Sequence, residues 1–414
     1  MITLTRRNLL RAGSAALATA ALPELADTAQ AAAPPRNLIV VLNSGGWDVT
    51  YALDPKPGAT RIDVPAGAQK LIGQIDLLSH AARPSVDAFF QRYGALTALI
   101  RGVQVRSFIH NDCTKRILTG TPSDQNADFA AITAHELGRD LPVPYLVLGN
   151  SALSGPYAAL TGRAGTTNQI SSLLNPDGYF IATAPYAPSE AEEALVRRYL
   201  TASTDRVASA RGRSAANRKQ VEAFSRSLEQ NALLRKFAQT RGGFGKPDYT
   251  PDLKVQIEVA TTALEGGLCH AAMLETSGWD THQDNSQQDM LHENLFANLL
   301  LLAQTLEQKA LLSRSVVVVL SEMGRTPKLN AGGGKDHWPV TSALVFGAGV
   351  RGDRVIGGTD EQLAALSVNL QSGAIDTAGK QLQTGNLAAG VLKLVGVDPS
   401  VHFSGVEALD ALIA

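Results

Sequence analysis

The chain has 414 residues, with 37 Lys and Arg against 38 Asp and Glu, and its formal charge of −1 offers no basic excess for nucleic acid or an anionic membrane surface. A hydrophobic fraction of 44 % with 37 Gly and 19 Pro is ordinary globular composition and excludes a disordered, collagen-like or low-complexity chain. The two cysteines, Cys113 and Cys269, are too few for a disulfide scaffold or a Cys-rich zinc module, so any metal would be held mainly by Asp, Glu and His.

The chain opens with Thr5-Arg6-Arg7-Asn8-Leu9-Leu10, an Ala-rich run from Ala12 to Leu22, and the small-x-small triplet Ala29-Gln30-Ala31. This pattern predicts a twin-arginine export signal over residues 1–31, with the twin-arginine machinery as partner and a periplasmic or secreted location. The apolar run is shorter than the ~20 residues a membrane span needs, and no later segment is long and apolar enough to cross one. Such signals accompany proteins exported already folded, often with a cofactor loaded, which favours a metal.

Beyond residue 31, short β-branched runs predict buried strands at Leu38–Leu42, Leu96–Ile100, Tyr145–Leu148, Ala271–Leu274, Val316–Leu320 and Ala343–Phe346. Helical stretches fall between them at Ser85–Tyr93, Asp128–Leu137, Pro251–Leu264 and Asp289–Leu311. The alternation predicts an α/β fold, a doubly wound and mostly parallel sheet with helices on both faces, over residues 32–414. Residues 189–237 are rich in Ala, Ser, Arg and Glu and read as a helical insertion with a solvated face. No Pro/Ser linker marks a second domain.

Four segments concentrate acids and imidazoles, and in such sheets ligands gather beyond the carboxyl ends of the strands. In Asn43-Ser44-Gly45-Gly46-Trp47-Asp48 the glycines permit a sharp turn, and Asp48 either binds a cation or caps a helix. His110-Asn111-Asp112-Cys113-Thr114-Lys115-Arg116 reads as a helix start, ended at Gly120, where Cys113 or Thr114 is a candidate nucleophile; otherwise Asp112 is a cap and Cys113 a small core residue. In Gly278-Trp279-Asp280-Thr281-His282-Gln283-Asp284, an extended chain would put Asp280, His282 and Asp284 on one face, a carboxylate and imidazole mixture that borderline metals accept. Glu322, at the exit of the Val316–Leu320 strand, should be met by Arg325 or a cation, with Asp336-His337-Trp338 nearby after the Gly332–Gly334 loop. Trp47, Trp279 and Trp338 each adjoin one of these acids or histidines, which predicts one shared pocket. Gly332-Gly333-Gly334-Lys335 lacks the spacing and hydroxyl of a phosphate-binding P-loop. His292 reads as solvent-facing on a long helix, and His80, His135 and His402 belong to no acidic constellation.

In this order the motifs, Gly-Gly-Trp-Asp, His-Asn-Asp, Gly-Trp-Asp-Thr-His, Ser-Glu-Met-Gly-Arg-Thr-Pro and Gly-Gly-Lys-Asp-His, resemble the exported domain-of-unknown-function family numbered fifteen-oh-one, which is similar to the alkaline phosphatase and sulfatase superfamily. The resemblance implies a three-layer α/β/α sandwich, alkaline-phosphatase-like, with metal ligands at strand ends. It implies Asp48, Asp280, His282, Glu322 and His337 as ligands of a divalent metal ion, zinc being one candidate. Met323 stands where the superfamily has a metal histidine, and Lys115 and Ile117 replace the Pro and Arg of the sulfatase formylglycine signature. The function this implies is metal-dependent hydrolysis of a small anionic phosphate or sulfate ester, with Thr114 or Cys113 attacking and Arg325 or Lys115 stabilising charge. The alternative is a non-catalytic exported binding or assembly protein that retains the fold.

Overall fold

The run Ser315–Leu320 contains four consecutive valines, and every residue in it is buried, because both faces of the sheet it joins are covered. The computed structural model of the chain describes residues 35–164, 188–211, 214–241 and 252–414, all within one compact unit, Ala33–Ala414. The expected export signal, residues 1–31, lies outside the described residues.

Among the described residues, eight strands form the central sheet: β1 (Asn37–Asn43), β2 (Thr97–Gln104), β3 (Tyr145–Val147), β4 (Thr161–Arg163), β5 (Ala271–Thr276), β6 (Ser315–Leu320), β7 (Val340–Gly347) and β8 (Arg354–Gly357). Across the sheet they run β8-β2-β7-β6-β1-β5-β3-β4. Every pairing is parallel except those of β7, which is antiparallel to both β2 and β6. All six strands expected from the sequence are present.

Alternate side chains separate the two cores, as the twofold period of a strand demands. Ile39, Val41, Val317 and Val319 face one core with α1 (Pro84–Tyr93), α6 (Leu253–Glu265) and α7 (Gln287–Gln308). Leu38, Val40, Val316 and Val318 face the other with α2 (His110–Thr119), α3 (Phe129–Gly138) and α8 (Thr384–Val395). The result is the three-layer α/β/α sandwich. Each fully buried Val, Leu or Ile contributes about 1.5–3 kcal/mol. Within residues 189–237, α4 (Glu190–Arg211) and α5 (Ala215–Arg241) pack against each other.

The helix ends follow local chemistry. Asp128 caps α3 by accepting the Ala131 N–H at 2.7 Å, and Gly120 ends α2 with a left-handed φ of 70°. His292 departs from expectation, since it is buried rather than solvent-facing. It shares the inward stripe of α7 with Leu295, Leu299, Leu302 and Leu306, and its ring stacks on Trp47 and Tyr51. Burial lowers its pKa to about 4.

Candidate metal centre

The parallel strands β1, β2, β5 and β6 all end at one edge of the sheet, and β7, running the other way, begins there. That topology delivers five segments to one place: 44–48 after β1, 105–110 after β2, 279–282 after β5, 321–325 after β6, and 335–338 before β7. The loops after β1 and β5 touch. Gly45 has φ +124°, and a Cβ there would lie 2.6 Å from the Asp280 backbone nitrogen, so only glycine lets them meet.

Three imidazoles surround one carboxylate oxygen. Asp280 Oδ1 lies 3.1 Å from His282 Nε2, 3.4 Å from His337 Nε2 and 3.5 Å from His110 Nε2. The far nitrogen of each ring is anchored: His110 Nδ1 to Glu322 Oε1 at 2.7 Å, His282 Nδ1 to Asp336 Oδ1 at 2.8 Å, and His337 Nδ1 to the Phe108 carbonyl at 2.6 Å. Since a carboxylate or carbonyl oxygen accepts, each Nδ1 donates, and in the neutral ring every Nε2 then carries a lone pair. Metal-binding histidines are oriented in this way.

The lone pairs then have no mutual partner. His282 Nε2 and His337 Nε2 lie 2.9 Å apart, and the buried His110 Nε2 has no hydrogen-bond partner among the described residues. A cation resolves both conflicts. His110, Asp280 and His337 offer ligand atoms that all lie within 4.8 Å of one another, and His282 Nε2 adjoins two of them. Neighbouring ligands of a tetrahedral zinc stand roughly 3.3 Å apart, so the spacing suits a borderline divalent metal. The Asp280 side chain is 47 % exposed, which leaves the centre open to solvent on one side.

Without a cation, the surrounding charges favour protonated imidazoles, and a metal would have to displace those protons. Burial works against the charge on Asp280, but the Arg325 hydrogen bond and charge, with His282 and His110, hold its carboxyl below the ordinary value. The Glu322 hydrogen bond holds the His110 imidazole above its ordinary value, against burial. Asn330, then His282, lowers the Asp336 carboxyl.

Of the residues nominated from sequence, Asp280, His282 and His337 come together in this cluster. Glu322 stands one bond further out: it does not meet Arg325 but accepts from His110 and from the Gly45 N–H at 2.8 Å. Arg325 is fully buried and donates instead to the Gly45, Gly46 and Lys335 carbonyls and to Asp280. Of the two roles open to Asp48, the structure shows the cap: it accepts the Thr50 N–H at 3.0 Å at the start of the short helix Val49–Tyr51, buried against Lys335 and Asn285. Cys113 is buried with Val105 and Met323, and burial pushes its thiol up to about 11. Thr114 is half-buried, one turn along α2 from His110. The chain is not extended at 280–284, and Asp284 turns away to accept from Ser286. Asp112 is no cap but pairs with Arg116 at 2.9 Å.

Trp47 and Trp279 pack edge to face with centroids 6.3 Å apart, whereas Trp338 donates to the Leu363 carbonyl. His135 and His402 both meet Glu136, at 3.0 and 3.2 Å, and His80 Nδ1 lies 3.9 Å from Asp289 Oδ1, so all three histidines do have an acidic neighbour. The residues missed from sequence are His110 as a member of the cluster and Asp336 as an anchor. An imidazole at the first position of a helix that follows a parallel strand was the available signal for His110.

A family model described as protein of unknown function (DUF1501) matches residues 35–411. No curated protein matches the sequence. Among solved structures, a protein in the alkaline phosphatase superfamily from Vibrio parahaemolyticus is similar over 92 % of this chain and 71 % of its own, at 9 % identity and a TM-score of 0.41. The lipoteichoic acid synthase LtaP from Listeria monocytogenes is similar over 92 % of this chain and 76 % of its own, at 12 % identity and a TM-score of 0.39. The PsFucS1 sulfatase from Pseudoalteromonas sp. is similar over 92 % and 72 %, at 12 % identity and a TM-score of 0.38.

Proposed function

The chain belongs to the DUF1501 family of proteins of unknown function, and we propose that it is an exported, metal-dependent hydrolase of phosphate or sulfate esters. The observation that carries the metal is the set of three Nδ1-anchored imidazoles whose Nε2 atoms turn toward Asp280 Oδ1. His110, Asp280, His282 and His337 hold the cation. When bound, it supplies Lewis acidity and positive charge toward an ester oxygen.

The chain's own residues do the rest. Glu322, Asp336 and the Phe108 carbonyl fix the ring orientations, and Arg325 holds Asp280 in place while closing the Gly45-Gly46 turn. With the Cys113 thiol buried and held protonated at neutral pH, attack falls to the Thr114 hydroxyl or to water. Arg325, fully engaged with carbonyls and a carboxylate, acts here as a positioning residue. Export rests on the Arg6-Arg7 start and the Ala29-Gln30-Ala31 triplet. No described helix is long and apolar enough to cross a membrane.

A second reading, a binding or assembly protein with one structural cation, is favoured by the engagement of Cys113 and Arg325 inside the fold. Metal analysis of the purified protein, followed by turnover of an aryl phosphate and an aryl sulfate, tests both. Metal-dependent turnover lost in Asp280→Ala supports the hydrolase. A bound ion without turnover of either ester leaves the binding protein, and a metal-free, inactive protein overturns the proposal.

A further inference from the structure

The irregular stretch before β7 reaches back to the imidazole cluster through one half-buried side chain, Asn330, whose amide makes four hydrogen bonds. Oδ1 accepts the Gly332 N–H at 2.9 Å and the Gly334 N–H at 3.2 Å, while Nδ2 donates to the His282 carbonyl at 3.0 Å and to Asp336 Oδ1 at 3.1 Å. Two N–H donors at one end and two oxygen acceptors at the other assign the orientation of the amide. The backbone closes the same turn: the Asn330 N–H donates to the Gly334 carbonyl at 2.8 Å, and the Gly333 N–H to the Asn330 carbonyl at 3.1 Å. At Gly334 the turn lies against the loop after β5, where a Cβ would stand 2.1 Å from the His282 carbonyl carbon.

Asp336 Oδ1 is also the atom that holds His282 Nδ1, at 2.8 Å. The Asp336 side chain is 57 % exposed and that of His282 35 %. A pair so open to water is weakly held by itself, because solvent screens it and fixing two side chains costs rotamer entropy. Asn330 changes this by binding both the same carboxylate oxygen and the His282 carbonyl. A closed cycle then runs from the His282 ring to Asp336, from Asp336 to Asn330, and back to the His282 backbone. Turning the ring breaks a member of that cycle, so His282 Nε2 stays toward Asp280 Oδ1, 3.1 Å away. Aspartate at position 330 would keep the two glycine bonds, lose both donations and set its carboxylate against that of Asp336; alanine would lose all four bonds.

We propose that Asn330 is a positioning residue of the metal centre, acting through Asp336 to hold the His282 ring with Nε2 toward the ion. This rests on the reading that the imidazole cluster binds a metal ion. Asn330 touches none of the ligand atoms, and its effect reaches the ion only through the ring it orients.

The test is zinc affinity, read by competition against a chromogenic chelator, in the full chain carrying Asn330→Ala, Asn330→Asp, Asp336→Ala, or Asn330→Ala together with Asp336→Ala. Asn330→Ala and Asn330→Asp are each expected to bind zinc about 10-fold more weakly than the unmodified protein, the lower end of the cost of losing an orienting partner. Asn330→Asp keeps the acceptor for Gly332 and Gly334, so it decides the matter if Asn330→Ala does not fold. The double variant is expected to bind zinc as Asp336→Ala does, because Asn330 then has nothing left to act through. Unchanged affinity in a folded Asn330→Asp overturns the proposal. So does a double variant whose loss is the product of the two single losses, the result that a role confined to folding the turn would give. Should the unmodified protein bind no zinc, the metal reading fails by itself and the ring decides the role of Asn330. Nitrogen-15 NMR of the histidine rings at a pH where they are neutral, with the His282 signals identified by their loss in His282→Gln, is expected to show the proton on Nδ1 in the unmodified protein. In Asn330→Ala, or in Asn330→Asp if only that variant folds, the proton is expected to shift toward Nε2, and the same tautomer in both proteins overturns the proposal.

Discussion

His282 Nε2 and His337 Nε2 face each other at 2.9 Å while the opposite nitrogen of each ring is held by an acceptor, Asp336 for one and the Phe108 carbonyl for the other. Two lone pairs cannot share that gap, so a proton or a cation belongs in it. Protonation of one ring fills the gap but leaves His110 Nε2 without a partner among the described residues; a metal ion beside Asp280 offers a partner to both.

Zinc should therefore stabilise the folded chain. At about 100 times the dissociation constant, a single site adds about 2.7 kcal/mol. A thermal melt with and without zinc measures it, and His110→Ala should reduce the gain sharply. An equal gain in His110→Ala would remove that residue from the ligand set.

Glu322 touches no ligand position except through His110 Nδ1. Glu322→Gln should weaken metal binding about 10–100-fold, the usual cost of losing an orienting partner. Competition against a chromogenic chelator reads the change, and unaltered affinity would mean that α2 alone orients the ring.

Gly45 holds φ +124° against the Asp280 backbone. Gly45→Ala should cost about 1–3 kcal/mol of stability through backbone strain alone, and more through the 2.6 Å approach of its Cβ to the Asp280 nitrogen. The denaturation midpoint should fall and metal affinity with it; a variant as stable as the parent would show that the two loops are free to separate.

Asp128 titrates in an accessible range. Burial raises its carboxyl to about 6, although the Ala131 and Leu153 N–H groups and the Tyr145 hydroxyl donate to it. The folded value lies above the unfolded one, near 3.9, so the folded chain binds more protons between them. This contribution is fully present below about pH 4 and is lost as pH rises to about 6, a change of about 3 kcal/mol. Equilibrium unfolding across that window should show the fall, and the difference between the parent and Asp128→Asn should isolate it. A constant difference between the two would disprove the shift.

Cys113 should resist thiol reagents at pH 7.5 in the folded chain, since its thiol lies buried with a pKa near 11. Cys113→Ser should cost about 1–3 kcal/mol by placing a hydroxyl among Val105 and Met323, yet spare turnover. Thr114→Ala should keep the metal and lower turnover if its hydroxyl attacks. Full activity in both variants would exclude a covalent intermediate on either residue.

The strands and the sandwich were legible without coordinates because both depend on local periodicity. A run such as Val316–Leu320 can be buried on both faces only inside a covered sheet, and the βα alternation then sets the layers. The same logic brings Asp280, His282 and His337 to one edge, since each lies beside the end of a strand.

What periodicity does not carry is the partner of each charged atom. Glu322 meets an imidazole 212 residues away rather than the arginine three positions on, because β2, β7 and β6 lie side by side and Arg325 is drawn to the carbonyls of the Gly45-Gly46 turn. His110 enters the cluster only through that strand order. Asp48, which reads as a cation ligand or a helix cap, caps Val49–Tyr51 and pairs with Lys335, because the stretch before β7 comes up against the loop after β1. Strand order and loop approach distribute partners among buried charges, and those relations exist only once the chain has folded.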